Sequence, residues 1–418
     1  MVAVHPFRAL RYNPERAPSL SNVLAPPYDV IDPPEQERLY QASPYNIVRL
    51  ILGKQSPADT EQDNRYTRAA RDFAAWRRDR VLREDATPAF YVVQHAFEDA
   101  EGQPRFRLGF LGVLGLRELG ERDVLPHEVT LSAPKQDRTK LLEAIPANLS
   151  PIFCVYPDAG GALQARLQGL TAAMAPTAEG TLHGEQIRLW AVTAPEAIAE
   201  ISRRLAAVAV LIADGHHRFE VARSKRDRYG LLMSYFVSMA EPALRVRAIH
   251  RVVEPPGGVD LEALRRVCAL ESAHTLEDIV RWLQDPTASP GRFGFAHAGA
   301  VFRATVLPPA LAQWLAAPAA PAGLASLDVS ILHGLLLPAL GVTAAQAVSG
   351  ASSGPAVRYT ADAAGAAASA AGNTCAWILR GIPLERVYTL ASEGLILPPK
   401  STYFYPKVPS GLAINPLV

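Results

Sequence analysis

The 418-residue sequence predicts a mixed α/β protein. Strand-like runs rich in β-branched and aromatic residues, such as "FYVVQHAF" and "VAVLIAD", alternate with stretches whose apolar residues recur at helical spacing. Apolar residues make up 49% of the chain and charged residues 20%, which is enough apolar matter to bury a sizeable core. The length exceeds what one ordinary core organises, so two or three domains are expected.

In the first part, "LAPPYDVID" reads as a rigid extended turn, because residues before Pro avoid the helical region. A helix should follow in "PPEQERLYQAS", with Asp32 as N-cap and Pro in its first turn. "NIVRLILG" is short, β-branched and ends in Gly, so it is expected to be a strand. Tyr66, Ala69, Ala70, Phe73 and Trp76 recur at helical spacing in "DNRYTRAARDFAAWRRDRVLRE". Two aromatic runs around "DAEG" predict a β-hairpin, and a polar loop then leads into a helix from Asp137 to Ala144 and a buried strand, "IFCVY".

Beyond a loop at "DAGGAL", the pattern reads strand ("IRLWAV"), helix ("APEAIAEISRRLAA"), strand into loop ("VAVLIADGHHR") and helix ("FEVARSKRDRYG"), followed by two strand-like runs. "VEPPGGVD" has linker composition. The last part predicts helices at "LEALRRVCAL" and "LEDIVRWLQD", a hairpin around "HAGA", a Pro/Ala-rich segment, a buried helix at "SILHGLLLPALG", an Ala-rich helix and a core strand at "TCAWILRG". The expected organisation is 1–157, 158–258 and 259–418, with no internal repeat.

Bulk chemistry narrows the function. A formal net charge of +1 argues against bulk attraction to nucleic acid or a membrane surface. Cys154, Cys268 and Cys375 are far apart and in no metal-like spacing, so neither a disulfide framework nor a zinc site is expected. No apolar run has the length of a membrane span, and the N-terminal stretch lacks the layout of a signal peptide. A soluble cytoplasmic protein is the expectation.

The densest chemistry lies in "ADGHHRFEVAR". A strand ends at Asp214, Gly215 allows a tight turn or close approach of a ligand, and a helix is expected to start near His217 to Phe219. Backbone N–H groups and the positive end of the helix dipole then face whatever precedes the helix. Arg218 offers a planar fork suited to phosphate, and His216 and His217 add donors. Asp214 could take Mg²⁺, accept a proton or simply cap the helix. There is no Walker loop and no Rossmann fingerprint.

Three other stretches are candidates. "LPHEVTLSAPKQDR" places Glu128, Lys135, Asp137 and Arg138 close in sequence, and it also reads as an exposed charged loop with Asp137 as N-cap. In "PPKSTYFYPK", Lys400 and Lys407 could reach a phosphate while the aromatics stack on a base or simply face a core. Asp29 in "PPYDV" also fits an ordinary turn. The charge runs "RRDRVLRE" and "SKRDRYG" read as solvated helix faces.

With these residues in view, the chain resembles a bacterial and archaeal family of conserved proteins without an established activity. The resemblance rests on "PPYDV", "NIVRL", "LPHE", "NLSPIF", "ADGHHR" and "PPKSTYFYPK", which occur in that order across nearly the whole chain. The "DGHHR" segment also resembles the phosphate-binding turn of the ParB/sulfiredoxin-like superfamily, which includes free-serine kinases. That resemblance implies a ParB/sulfiredoxin-like nucleotide-binding core with additional α/β subdomains. In it His217 and Arg218 would hold phosphates and Gly215 would permit close approach. Sulfiredoxins carry a reactive Cys where this chain has His216, and ParB proteins continue into DNA-binding helices where this chain is strand-like, so neither redox repair nor centromere binding is expected.

The resulting expectation is a nucleotide-dependent phosphotransferase acting on a small hydroxyl metabolite, serine or a serine-like compound, with ATP or ADP and Mg²⁺ implied by the resemblance. Asp29, Glu128, Asp214 and His216 are the expected catalytic groups. Gly215, His217, Arg218, Lys135, Arg138, Lys400 and Lys407 are the expected phosphate contacts. The alternatives are a non-catalytic nucleotide or phosphometabolite sensor, a phosphatase or nucleotide hydrolase, and an interaction protein. The partners expected are a nucleotide and a small molecule, without nucleic acid or membrane.

Overall fold

The computed structural model describes residues 2–99, 102–285, 287–317, 321–344, 346 and 357–417. They form two units: 1–126, 130–245 and 406–418 make the first, and 127–129 with 246–405 make the second. Both are mixed α/β, as the alternating sequence pattern predicts.

In chain order, the strands of the first unit are β1 (Val4–His5), β2 (Leu10–Tyr12), β3 (Leu82–Glu84), β4 (Phe90–Glu98), β5 (Pro104–Gly115), β6 (Val124–Leu125), β7 (Ala147–Asn148), β8 (Ile152–Tyr156), β9 (Ala178–Leu182), β10 (Glu185–Val192), β11 (Val210–Asp214) and β12 (Leu231–Ser238), with a short strand Asn415–Pro416 pairing with β7. Its helices are α1 (Pro33–Ala42), α2 (Val48–Ile51), α3 (Arg65–Arg78), α4 (Ser132–Ala144), α5 (Ala162–Ala172), α6 (Pro195–Ala206) and α7 (His216–Ser224). A mixed sheet runs β6-β11-β8-β12-β5-β4-β10-β9, with β1 beside β5. β8 is antiparallel to β11 and parallel to β12, and all five of its residues are buried. That central place explains the unbroken apolar run "IFCVY", since a strand covered on both faces shows no alternation.

The expected hairpin is β4 paired with β5 from Tyr91↔Leu111 to Glu98↔Pro104, although residues 100 and 101 of its turn lie outside the described residues. Phe110 stacks on Phe236 at 5.2 Å and meets the edge of Phe90 at 5.4 Å, which centres the core on β4, β5 and β12. A second core holds the helical side of this unit: Ile47, Val48, Phe73, Trp76 and Leu141 pack together from α2, α3 and α4. On α3 the buried residues are Ala69, Phe73 and Trp76, the apolar stripe read from spacing. Asp32 caps α1 by accepting from Glu35 N at 2.8 Å.

Two local expectations are corrected. "NIVRL" is not a strand but the short helix α2. The Asn46 side chain accepts from Val48 N at 2.9 Å and donates to the carbonyls of Asn22 and Leu24, each at 2.9 Å, so it starts a helical turn there. A short apolar run leaves strand and buried helix indistinguishable by period. The helix expected from Asp137 begins at Ser132, where Pro134 fits a first turn, and Asp137 lies within it.

The second unit holds an antiparallel sheet ordered 268–272, 300–306, 292–297, 375–378, 250–253, 357–360. "TCAWILRG" supplies its buried strand Cys375–Ile378 and "TADAAGAAASAAGN" the helix Ala363–Ala368. The Pro/Ala-rich segment includes the helix Pro308–Ala316, while its residues 318–320 lie outside the described residues. "SILHGLLLPALG" is helical from Asp328 and widens into a π turn at Leu332–Leu336. Pro338 has no N–H to offer the carbonyl four residues back, which favours the wider turn. A side chain at Gly334 would meet Trp314 at 2.1 Å, so the indole packs where only Gly fits. No helix among the described residues is long and apolar enough to cross a membrane.

Candidate functional site

The site is built on the first unit, where β11 runs into α7. Between Ile212 and Asp214 the β11–β8 register shifts, so that Ile212 faces Cys154 and Asp214 faces Phe153. Such a bulge re-aims the side chains at a strand end. Gly215 follows with φ 92° and stands as N-cap of α7 without a side-chain cap. Asp214 is therefore not the helix cap, and the helix begins at His216, one residue before the expected start. A Cβ on Gly215 would lie 2.9 Å from Ile152 Cγ2 and 3.0 Å from an Arg218 nitrogen. The position needs Gly both for its left-handed backbone and for this packing.

The Asp214 carboxylate accepts from Arg218 at 2.8 Å and from the Lys407 ammonium. Burial alone would raise its pKa, but the charges of Lys407 and Arg218, with a contribution from His216, pull it down to about 2. Asp214 is consequently held as an anion by two cations, which makes it a weak proton acceptor near neutral pH. Arg218 also donates to the Pro151 carbonyl. Lys407 is itself steered from its neighbour: Arg107, only 1% exposed, donates to the Pro406 carbonyl and lies over the rings of Phe153 (4.9 Å) and Tyr235 (5.3 Å).

His216 is buried, and the His217 ring accepts from Leu131 N through Nε2 at 2.9 Å. With Nε2 accepting, a neutral ring carries its hydrogen on Nδ1. This bond joins the start of α7 to the residue just before α4. Lys135, half-buried in the first turn of α4, has no ion pair among the described residues. Arg138 is buried: it pairs with Asp137, donates to Ile51 O at 3.0 Å and lies 3.8 Å above the Tyr28 ring. Asp137 also receives Arg65 and the Tyr66 hydroxyl (2.7 Å). Burial works to raise its pKa, but Arg138, Tyr66 and Arg65 outweigh it and leave the carboxyl below its ordinary value.

Tyr28 and Asp29 lie in a single 3-10 turn, Tyr28–Val30, set by two buried prolines. The Asp29 carboxylate is exposed and makes no hydrogen bond or ion pair among the described residues. Tyr28 ties its turn to α4 through the Arg138 guanidinium over its ring, and burial raises its hydroxyl's pKa while Arg218 and Arg138 act to lower it. A cleft of about 350 Å³ opens beside Ile31, Gln36, Leu52, Gly53 and Arg65, beginning two residues after Asp29.

The first unit thus holds Asp29, Arg138, Asp214, Arg218 and Lys407, drawn from four distant stretches, with Gly215, His216, His217 and Lys135 alongside. Glu128 and Lys400 belong to the second unit. There Leu397 N donates to His127 O at 2.8 Å, and His127 and Thr402 side chains are 2.8 Å apart. Lys400 has φ 58°, and its carbonyl accepts from Arg251 at 3.0 Å. Arg251 is 1% exposed, and burial lowers its pKa to about 10, with Glu128 acting to raise it. Sequence reading missed Tyr28, Arg107 and Arg251. The only signal for the last two was an arginine inside an otherwise apolar strand, "RFRLGF" and "HRVV".

The sequence profile of a family described as "Protein of unknown function (DUF1015)" matches residues 4–330. Among curated proteins none matches the sequence. Solved structures with similar arrangement include a free serine kinase mutant in complex with ADP (12% identity, 70% of this chain and 86% of that chain, TM-score 0.35). Another is SbnI with a C-terminal truncation from Staphylococcus aureus (11%, 73% and 87%, TM-score 0.38). A third is a conserved hypothetical protein from Pyrococcus furiosus (12%, 72% and 94%, TM-score 0.33).

Proposed function

The chain belongs to this DUF1015 family of unknown function, and from its own residues we propose that it is a nucleotide-dependent phosphotransferase acting on a small hydroxyl-bearing metabolite. The observation that carries the reading is charge placement at the start of α7. Two cations, Arg218 and Lys407, meet one carboxylate, Asp214, and leave a net positive site in the unit that also carries the uncommitted Asp29 carboxylate. A positive, helix-start site suits phosphate oxygens, and an exposed carboxylate without a protein partner suits a proton acceptor.

In this reading ATP or ADP lays its phosphates at the N-terminus of α7, against its first backbone N–H groups, with Lys135 as a further donor and His217 holding the start of the helix. Arg218 acts through Asp214 and Pro151, holding the turn in shape. The acceptor occupies the cleft beside Ile31 and Gln36, whose volume suits a small metabolite. Its hydroxyl oxygen bonds to the terminal phosphorus as the bond from that phosphorus to the bridging oxygen breaks. The electron pair leaves on the shortened nucleotide, and the hydroxyl proton passes to Asp29. Serine or a serine-like compound is the acceptor that the "DGHHR" resemblance implies.

Mg²⁺, implied by the same resemblance, finds no protein cage. The described residues hold no group of three His, Cys, Asp or Glu, and Asp214 is committed to two cations. No step is assigned to a protein-held metal. The test is incubation of the purified protein with ATP or ADP and a set of hydroxyl metabolites. Nucleotide consumption dependent on one metabolite supports the transferase. Binding without turnover for every metabolite rejects it in favour of a sensor, and turnover with no metabolite points to a hydrolase.

A further inference from the structure

We propose that the cleft beside Ile31 and Gln36 is built for a small zwitterion, with Arg65 holding the carboxylate and Asp32 the ammonium of an α-amino acid. This rests on the reading above in making that amino acid the acceptor. The wall of the cleft, about 350 Å³ in volume, carries one residue of each charge, Asp32 and Arg65. The other polar side chains in it, Gln36 and Gln55, are neutral amides. One fixed anion and one fixed cation match a ligand with the opposite pair of charges. A ligand with a single charge leaves one of the two without a partner.

Arg65 is fixed in place and still has a donor to give. Its Nη2 donates to Asp137 and, at 2.9 Å, to the Tyr66 hydroxyl, which holds the guanidinium at the start of α3. Asp137 does not neutralise it, because Arg138 engages the other oxygen of the same carboxylate. Two guanidinium groups on one carboxylate leave a positive charge over. The Arg65 Nε is buried and has no hydrogen-bond partner among the described residues. A buried N–H without a partner is costly, so a group that supplies one gains a strong bond. Arg65 also lines a second cavity of about 10 Å³, with room for one water to bridge Nε to a carboxylate in the cleft.

The rest of the wall is held just as firmly. One Asp32 oxygen accepts from Glu35 N at 2.8 Å as the cap of α1, and the residue makes no ion pair among the described residues. Gln36 donates to Leu52 O at 2.8 Å, joining α1 to the end of α2. A Cβ on Gly53 would lie 3.2 Å from Arg65 Cβ, so the glycine keeps this wall clear of the arginine.

Ligand-observed NMR titration of the whole chain tests this with L-serine, glycolate and ethanolamine. Each has a hydroxyl; they carry both charges, the acid alone and the amine alone. Wild-type protein should bind L-serine saturably. Ethanolamine should bind roughly tenfold more weakly, lacking the bond to the guanidinium, and glycolate roughly threefold more weakly, lacking an exposed ion pair. Arg65→Gln should weaken L-serine and glycolate roughly tenfold and spare ethanolamine. That change also removes a partner of Asp137, so Asp32→Asn is the second variant. Asn keeps a capping oxygen for α1 and the fold with it; L-serine and ethanolamine should weaken roughly threefold while glycolate does not. Tripolyphosphate, titrated calorimetrically in parallel, reports the phosphate site at α7, and neither variant should alter it. Tripolyphosphate binding with no preference for L-serine over the two singly charged probes overturns the inference and leaves the phosphate site standing. A preference that both variants leave intact overturns the roles of Arg65 and Asp32. A preference that the variants abolish, in a protein that binds no tripolyphosphate, upholds the zwitterion pocket and overturns the transferase.

Discussion

Lys407 and Asp214 form an ion pair across 193 positions of chain, and each side chain is less than 15% exposed. The last stretch of the protein is thereby tied to the turn that starts α7. Arg107, holding the carbonyl of the residue before Lys407, makes the tie geometrically specific.

Removing one partner of a buried pair strands the other. Lys407→Met should therefore destabilise the first unit by about 3 kcal/mol, the low end of the usual range, because Arg218 remains to neutralise Asp214. Urea unfolding with an unchanged slope would show it. A shift in midpoint indistinguishable from that of an exposed lysine such as Lys54 would mean the pair contributes little.

The pH dependence has a definite sign. The folded pKa of Asp214, about 2, lies below the ordinary carboxylate value of about 4 in the unfolded chain. A depressed carboxylate stabilises the fold above the unfolded value and loses that contribution as pH falls toward the folded one. Roughly 2–3 kcal/mol should vanish between about pH 4 and pH 2. Unfolding free energies of wild type and Asp214→Asn, compared across that window, should converge as the solution is acidified. A constant difference would show that Asp214 is not titrating with folding.

Gly215→Ala confronts a backbone φ of 92° and a 2.9 Å approach to Ile152 Cγ2. The left-handed backbone alone costs roughly 1–2 kcal/mol for a non-Gly residue, and the contact adds to it. A lowered melting temperature with loss of tripolyphosphate binding is expected. Full retention of both would show that the turn tolerates a side chain and that its glycine is incidental.

Much of this architecture was legible in the sequence. The α3 stripe, the β4–β5 hairpin, the buried β8 and the strand–turn–helix at Asp214 all follow from period and turn chemistry, which are local signals. "NIVRL" misled because three apolar residues carry no decisive period and the helix-starting role of Asn46 depends on carbonyls 22 to 24 residues away. The same limit applies to the site. Composition marked Asp214, Arg218 and Lys407 as charged, but only their meeting shows that two of the expected phosphate ligands are engaged with a carboxylate. Tyr28 was part of a noticed motif, yet its contact is with Arg138, 110 residues later. Arg107 and Arg251 were hidden because a buried arginine in a strand looks, in sequence, like an exposed one.

The central claim is that Asp29 accepts a proton during phosphoryl transfer at the start of α7, and one measurement tests it most directly. Phosphorus NMR would follow ATP or ADP with the acceptor metabolite, comparing wild type and Asp29→Asn under identical conditions. Asp29 is exposed and unpartnered, so Asn should leave folding and nucleotide binding intact. The account predicts a phosphorylated product whose rate of appearance falls 10²- to 10⁴-fold in the variant, as expected for loss of a general base. Product formed equally fast by Asp29→Asn, or none formed by the wild type with any hydroxyl acceptor, would contradict it.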